Sequence, residues 1–198
     1  MRVALPINGV LLAGLLVAAP ACAGVRHTVN ESNGLRGWKL ADGDFEIELI
    51  QRLPDQTRAL LMKHAFSREV IEQLAQSCMF QTIIRNTGRS GSGQAVSVDL
   101  TQWRMRHAGT TRGILLKEPL LASWSDADAS PAAKLVVRWG MFPTQQEFQP
   151  SDYNWGLTAY GVPPGAEFDL EVAWTEGGAP HSASIEGIVC APDVDRLK

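Results

Sequence analysis

The 198-residue chain predicts a mainly β fold. The expected architecture is an antiparallel β-sandwich, Ig-like or jelly-roll-like, with a short N-terminal helical pair covering one edge or open end. Three observations carry this reading. About seven or eight segments alternate apolar and polar residues with the period of two that a half-buried strand requires. Gly- and Pro-rich turns separate them at roughly 8–12-residue spacing. A hydrophobic content of 45% with 20% charged residues gives one domain a sizeable core and excludes a disordered chain.

The first 23 residues, MRVALPINGVLLAGLLVAAPACA, carry one charge at Arg2, then an apolar stretch, then the small-residue triplet Ala21-Cys22-Ala23. That pattern predicts a secretory signal peptide over residues 1–23 and a periplasmic or secreted protein. The apolar run Val10–Ala19 is too short to span a bilayer, and no later segment is long enough, so the mature chain is expected to lack a transmembrane segment. Ala19-Pro20-Ala21-Cys22 also resembles a bacterial lipobox, which would anchor the chain through Cys22. Ala stands where Leu is usual and Pro precedes the small residue, so simple cleavage leads. Removing the leader removes Arg2 and makes the net charge of −3 one unit more negative. An acidic chain without a basic run is not expected to bind nucleic acid.

The mature chain keeps two cysteines, Cys78 and Cys190, and in an exported protein these are expected to pair. There is no C-x-x-C element, which argues against a thiol–disulfide oxidoreductase.

Residues 24–43 are polar and Gly-rich with Trp38 as the one large anchor, and read as a loosely ordered lead-in. The sandwich domain is expected over 44–192, including helices within 55–77, followed by a polar tail over 193–198. Phe45, Ile47 and Leu49 alternate with Glu46 and Glu48, a strand whose glutamates face solvent. Pro54 ends it, and Asp55 is positioned to cap a helix over Gln56–Phe66. Ser67 caps a second helix, Arg68–Ser77, with Val70, Ile71, Leu74 and Ala75 on one side.

Strands then follow over Cys78–Asn86 and Gln94–Leu100, joined by the turn TGRSGSG, which lacks the Gly-Lys-Ser/Thr of a phosphate loop. Thr101–His107 continues as strand after a change of phase near Leu100, the mark of a bulge or corner. Ile114–Trp124 fits helix or strand equally. Lys134–Phe142 places Leu135, Val137, Trp139 and Met141 in strand phase, which assigns Trp139 to the core. Further strands are expected around Tyr153–Leu157, Phe168–Trp174, whose Trp174 is also core, and Ser182–Cys190.

No hydrolase motif is present: G-x-S-x-G, H-E-x-x-H and Ser-x-x-Lys are all absent. Asp126-Ala127-Asp128-Ala129-Ser130 opens like a calcium loop, but Pro131 and Val137 occupy the positions that need Gly and Glu. Soft-metal chemistry has a sharper signal. Met62-Lys63-His64 and Met105-Arg106-His107 share an M-x-H pattern, and thioether with imidazole is a ligand set for Cu(I). Met105 and His107 share a strand face, with a third ligand expected from Met62, His64 or Met141. The competing assignment packs Met105 in the core beside Trp103. Finally, Phe148, Tyr153 and Trp155 fall in a Pro-, Asn- and Gly-containing stretch and are expected to form a ligand or partner surface.

The leading functional expectation is therefore an exported, non-catalytic accessory protein that binds a small ligand or a periplasmic protein and needs no cofactor. The alternatives are a copper-binding or copper-delivery protein, and a hydrolase without a recognisable motif.

Overall fold

A computed structural model describes residues 24–91 and 93–194. The expected signal peptide, Cys22 and the last four residues of the tail lie outside the described residues.

The described chain opens on two strands, β1 (Gly24–Val29) and β2 (Arg36–Asp42), so residues 24–43 are not a loose lead-in. Trp38 and Leu40, two apart on β2, both enter the core, and that period of two makes the segment a strand. The elements that follow are β3 (Phe45–Gln51), the helices α1 (Pro54–Leu61) and α2 (Arg68–Ala75), β4 (Met79–Asn86) and β5 (Val96–Asp99). A 3-10 turn over Leu100–Gln102 makes the corner expected near Leu100, and β6 (Arg104–His107) and β7 (Thr110–Arg112) leave it. Then come α3 (Lys117–Ser123), α4 (Pro131–Gly140), β8 (Gln145–Phe148), β9 (Tyr153–Ala159), β10 (Glu167–Glu176) and β11 (Ala179–Val189).

Among the described residues the fold is mainly β, with two antiparallel sheets and four α-helices. The first sheet runs β1-β2-β3-β4-β9. In the second, β10 is flanked on one side by β11 and on the other by β6 and β5, with β7 and β8 outermost. The sheets share one core in which Trp38, Phe45 and Phe80 of the first meet Phe168, Val172 and Trp174 of the second. Phe45 stacks on Trp174 with centroids 4.3 Å apart.

Buried polar groups close the flanks. The Asn86 Nδ2 donates to the carbonyls of Gln94 and Phe148 at 2.7 and 3.0 Å, and the Gln51 Nε2 donates to the Val189 carbonyl at 2.7 Å. Each link joins the two sheets, and each satisfies a buried amide that would otherwise oppose folding. Inside the core the Tyr160 hydroxyl accepts from the Thr158 Oγ1, which lies 2.7 Å from the Thr82 Oγ1. Burial pushes the Tyr160 phenol far above its ordinary pKa, a rise that the threonine bonds only partly offset.

The region 134–142 corrects the sequence reading. It belongs to α4, started by the Ser130 Oγ accepting from the Ala133 N–H and by Pro131 in the first turn. Ala133 and Val137, four apart, are buried, whereas Trp139 is 81% exposed. Trp139 is thus a surface residue, while Trp174 is core. The ambiguous 114–124 segment resolves into α3, which buries Leu120, with Trp124 buried just beyond its end. The helix expected over 56–66 is shorter and begins at Pro54, so Met62 caps its end and His64 lies past it.

The helical pair packs at the β4–β9 side of the first sheet. Leu61 of α1 and Val70 and Leu74 of α2 form a second apolar cluster with Ala133 and Val137 of α4, resting on Met79 of β4 and Ala159 of β9. The helices therefore cover part of the outer face of the first sheet. The C-terminal segment is tied to this layer as well. Arg58 contacts Asp55 at 2.7 Å, Glu72 at 2.8 Å and Asp193 at 2.8 Å, and Gln76 donates to Asp193 at 2.6 Å. Asp193 is buried, so the tail does not become a free polar end there. Its carboxylate and that of Glu72 hold the Arg58 guanidinium far above its ordinary pKa.

Cys78 and Cys190 form a disulfide, with their Cα atoms 5.4 Å apart. It joins the α2–β4 junction to the residue after β11.

Candidate functional site

Strand β9 pairs with β4 in a register that sets Tyr153 opposite Arg85, Trp155 opposite Ile83 and Leu157 opposite Gln81. Tyr153, Trp155, Leu157 and Ala159 alternate with Asn154, Gly156, Thr158 and Tyr160, so the first four share the outer face of the first sheet. Leu157 and Ala159 run under the helical layer. Tyr153 and Trp155 lie beyond it, 65% and 60% exposed.

Gly156 makes this geometry attainable. A Cβ at that position would lie 2.7 Å from the backbone of Phe142. The chain leaving α4 passes directly across β9 there, held by the Phe142 N–H donating to the Leu157 carbonyl at 2.9 Å. Glycine admits this close crossing, which anchors β9 from its far side and fixes the direction of the two aromatic side chains.

The electrostatics of the face are compensated. Lys39 and Arg85 reach Glu46 at 2.7 and 3.3 Å, and the Arg85 guanidinium stands 5.9 Å above the Tyr153 ring. That distance allows a cation–π contact, which holds one edge of the tyrosine. Trp155 has no aromatic partner among the described residues, and its ring is free to be covered. The face therefore offers flat apolar area bordered by paired charges.

Among the remaining expected surface residues, Phe148 is a correction. It is fully buried, opposite Val96 in the β5–β8 pair, and belongs to the main core. The sequence reading missed Trp139 and Leu135, exposed on α4 and one helical turn apart. The Ser130-Pro131 start signal followed by Ala133 and Val137 is the cue that would have turned them outward.

The five residues considered for Cu(I) are dispersed. Met105 is wholly buried in the main core, Met141 is buried in the helical cluster, and Met62 is 72% exposed at the end of α1. His64 is exposed, and the His107 Nδ1 lies 2.8 Å from the Glu167 carbonyl oxygen. The structure does not bring them to one point. Among the described residues no three His, Cys, Asp or Glu side chains are grouped to hold a metal ion. The Asp126–Ser130 segment is an ordinary turn: the Asp128 carboxylate accepts from the Ser125 N–H and Oγ at 2.8 and 2.7 Å, bonds that lower its pKa.

Among the described residues no helix is long and apolar enough to cross a membrane. No protein-family model, curated protein or solved structure matches the chain.

Proposed function

We propose that this is an exported, non-catalytic binding protein of the periplasm or extracellular space, and that it docks a partner protein on the uncovered part of the first sheet. The single observation that carries the reading is the exposure of Tyr153 and Trp155 on one strand face beside a layer that covers the rest of that face. Large aromatics contribute most per residue to protein–protein docking, and here they contribute little to the fold. The disulfide agrees with export, because such bonds persist in oxidising compartments. The dispersion of Met62, His64, Met105, His107 and Met141 lends no support to copper delivery.

Two measurements test the proposal. Expression of the full chain followed by fractionation and intact-mass analysis should find a product beginning at Gly24 outside the cytoplasm. Retention of proteins from the exported fraction on the immobilised chain should then fall at least tenfold for Trp155→Ala, while the melting temperature stays put. A cytoplasmic product retaining residues 1–23, or retention indifferent to both Trp155→Ala and Tyr153→Ala, would overturn it.

A further inference from the structure

The outer face of the second sheet, on the opposite side of the molecule, carries a trough of about 590 Å³. That volume falls within the range of small-molecule clefts. Its floor is formed by the outward positions of β5 and β10, where Ser97 pairs opposite Thr175, with Ala173 alongside. One wall is Gln145 and Glu147 of β8, and the other is Pro180 and His181 of β11. Small floor residues between larger wall residues are what make a sheet face concave here.

The lining chemistry narrows the ligand. No Lys or Arg lines the trough, whereas Asp99 and Glu147 do, so a phosphate or carboxylate ligand would meet repulsion without a counter-charge. Asp99 is not a vacant cation ligand either. Its Oδ1 accepts from the Thr101 N–H and Oγ1 at 2.9 and 2.6 Å, and its Oδ2 from the Gln145 Nε2 at 2.8 Å. Those bonds, led by the Thr101 hydroxyl, hold its pKa below the ordinary value.

What remains uncommitted is neutral hydrogen-bonding capacity. Among the described residues no side-chain bond engages the hydroxyls of Ser97 and Thr175 or the side-chain carbonyl of Gln145. Glu147 spends only its Oε1, on the Gln149 amide at 2.8 Å. Hydroxyls both donate and accept, while a carboxamide and a carboxylate present fixed acceptor directions. The CH surfaces of Ala173 and Pro180 lie beside them. Trp174, stacked on His181 at 5.5 Å, also lines the trough, and its Nε1 is buried without an acceptor. A ligand rich in vicinal hydroxyls and carrying apolar ring faces matches this lining.

We propose that the trough is a binding site for a neutral oligosaccharide, recognised by Ser97, Thr175, Gln145 and Glu147. The site is independent of the aromatic face, and either can fail alone. The test is an amide-resonance titration of the oxidised chain with three probes: cellotriose, maltotriose and triacetylchitotriose. At least one should shift resonances of β5, β8, β10 and β11 together, with a Kd of about 1 mM or tighter.

Ser97→Trp fills the floor, and Glu147→Ala removes an exposed wall residue from an edge strand without disturbing the core. Each should weaken binding at least tenfold, while Trp155→Ala leaves it unchanged. The proposal is overturned if none of the three sugars moves these resonances, or if spermidine moves them while the sugars do not. It is also overturned if Glu147→Ala binds as the wild type does. That variant decides the matter even where Ser97→Trp does not fold.

Discussion

The two apolar layers of the molecule are held in different ways. Between the sheets the filling is aromatic and interlocked: Phe80 meets Tyr160 edge-on at 5.6 Å, and Tyr160 lies 4.7 Å from Phe168. Under the helices the buried set is Leu, Val, Met and Ala with Trp124 as its buried aromatic. That layer carries less apolar area and is instead joined by a discrete link, the Arg58 cluster, while the Cys78–Cys190 bond of the main core lies where α2 hands over to β4. The lesson is about distribution. A broad core spreads its stability over many contacts, whereas a thin layer concentrates it in a few residues whose loss is felt at once.

The largest expected effect falls on the covalent link. Replacing both Cys78 and Cys190 by Ala should cost up to about 4–5 kcal/mol, because a ring of this size restricts the unfolded chain strongly. Urea denaturation reads the loss, and amide exchange should accelerate first in α1 and α2. Uniform acceleration across both sheets would break the comparison. Phe80→Ala, in the other layer, should cost about 3–5 kcal/mol through the cavity it leaves, with exchange rising in β3, β4 and β10 together.

Arg58→Ala should cost about 3 kcal/mol, since it removes the guanidinium that the buried Asp193 carboxylate contacts at 2.8 Å. Removing both charges, in Arg58→Met with Asp193→Asn, should cost less than Arg58→Ala alone. Equal losses in the two would mean that Arg58 acts by packing rather than by charge.

These outcomes bear on what the sequence allowed. Cys78 and Cys190 were legible because a chain read as exported left them no other role. Phe45, Ile47 and Leu49 were legible because local alternation suffices when a strand lies half in the core. Phe148 was not: only its long-range pairing with Val96 decides which way it points. The α4 segment failed for a different reason. Leu135, Val137, Trp139 and Met141 imitate a strand over a short window, and Ala133, which reveals the helical spacing, is too small to weigh in a hydrophobic pattern. Strand β2 was obscured by the polar turn and the exposed partner β1 beside it. Tyr153 and Trp155 were read as surface residues and are exposed, whereas Trp139 was misplaced in the core. The trough was beyond reach, because β5, β8, β10 and β11 come together only in the folded sheet.

The smallest effect sharpens the comparison at the surface. The Asp169 pKa is lowered, first by the Gly187 N–H at 3.0 Å and then by Arg106 at 2.9 Å. A carboxylate whose folded pKa lies below the ordinary value of about 3.9 contributes stability above that value and loses it as the pH falls through the folded one. Arg106 is well exposed, so solvent screening limits the contribution to about 0.5 kcal/mol. Thermal melts should show the wild type losing its margin over Asp169→Asn on acidification below the ordinary carboxylate range. A margin that grows with acid would contradict the assignment.

The Cys78–Cys190 bond also determines how the molecule bears mechanical tension. It places 112 residues of sequence separation within one covalent ring. A pull on the two ends passes from the C-terminal segment straight to Cys78, so β4 through β11 carry no load. Between Gly24 and Cys190, only the stretch up to Cys78 lies outside the ring and can be drawn out, roughly 55 residues or about 190 Å at full extension. Chemical reduction releases the ring and adds about 390 Å of contour. The bond shields both the main part of the second sheet and the strand that displays Tyr153 and Trp155 from direct load for as long as it is intact.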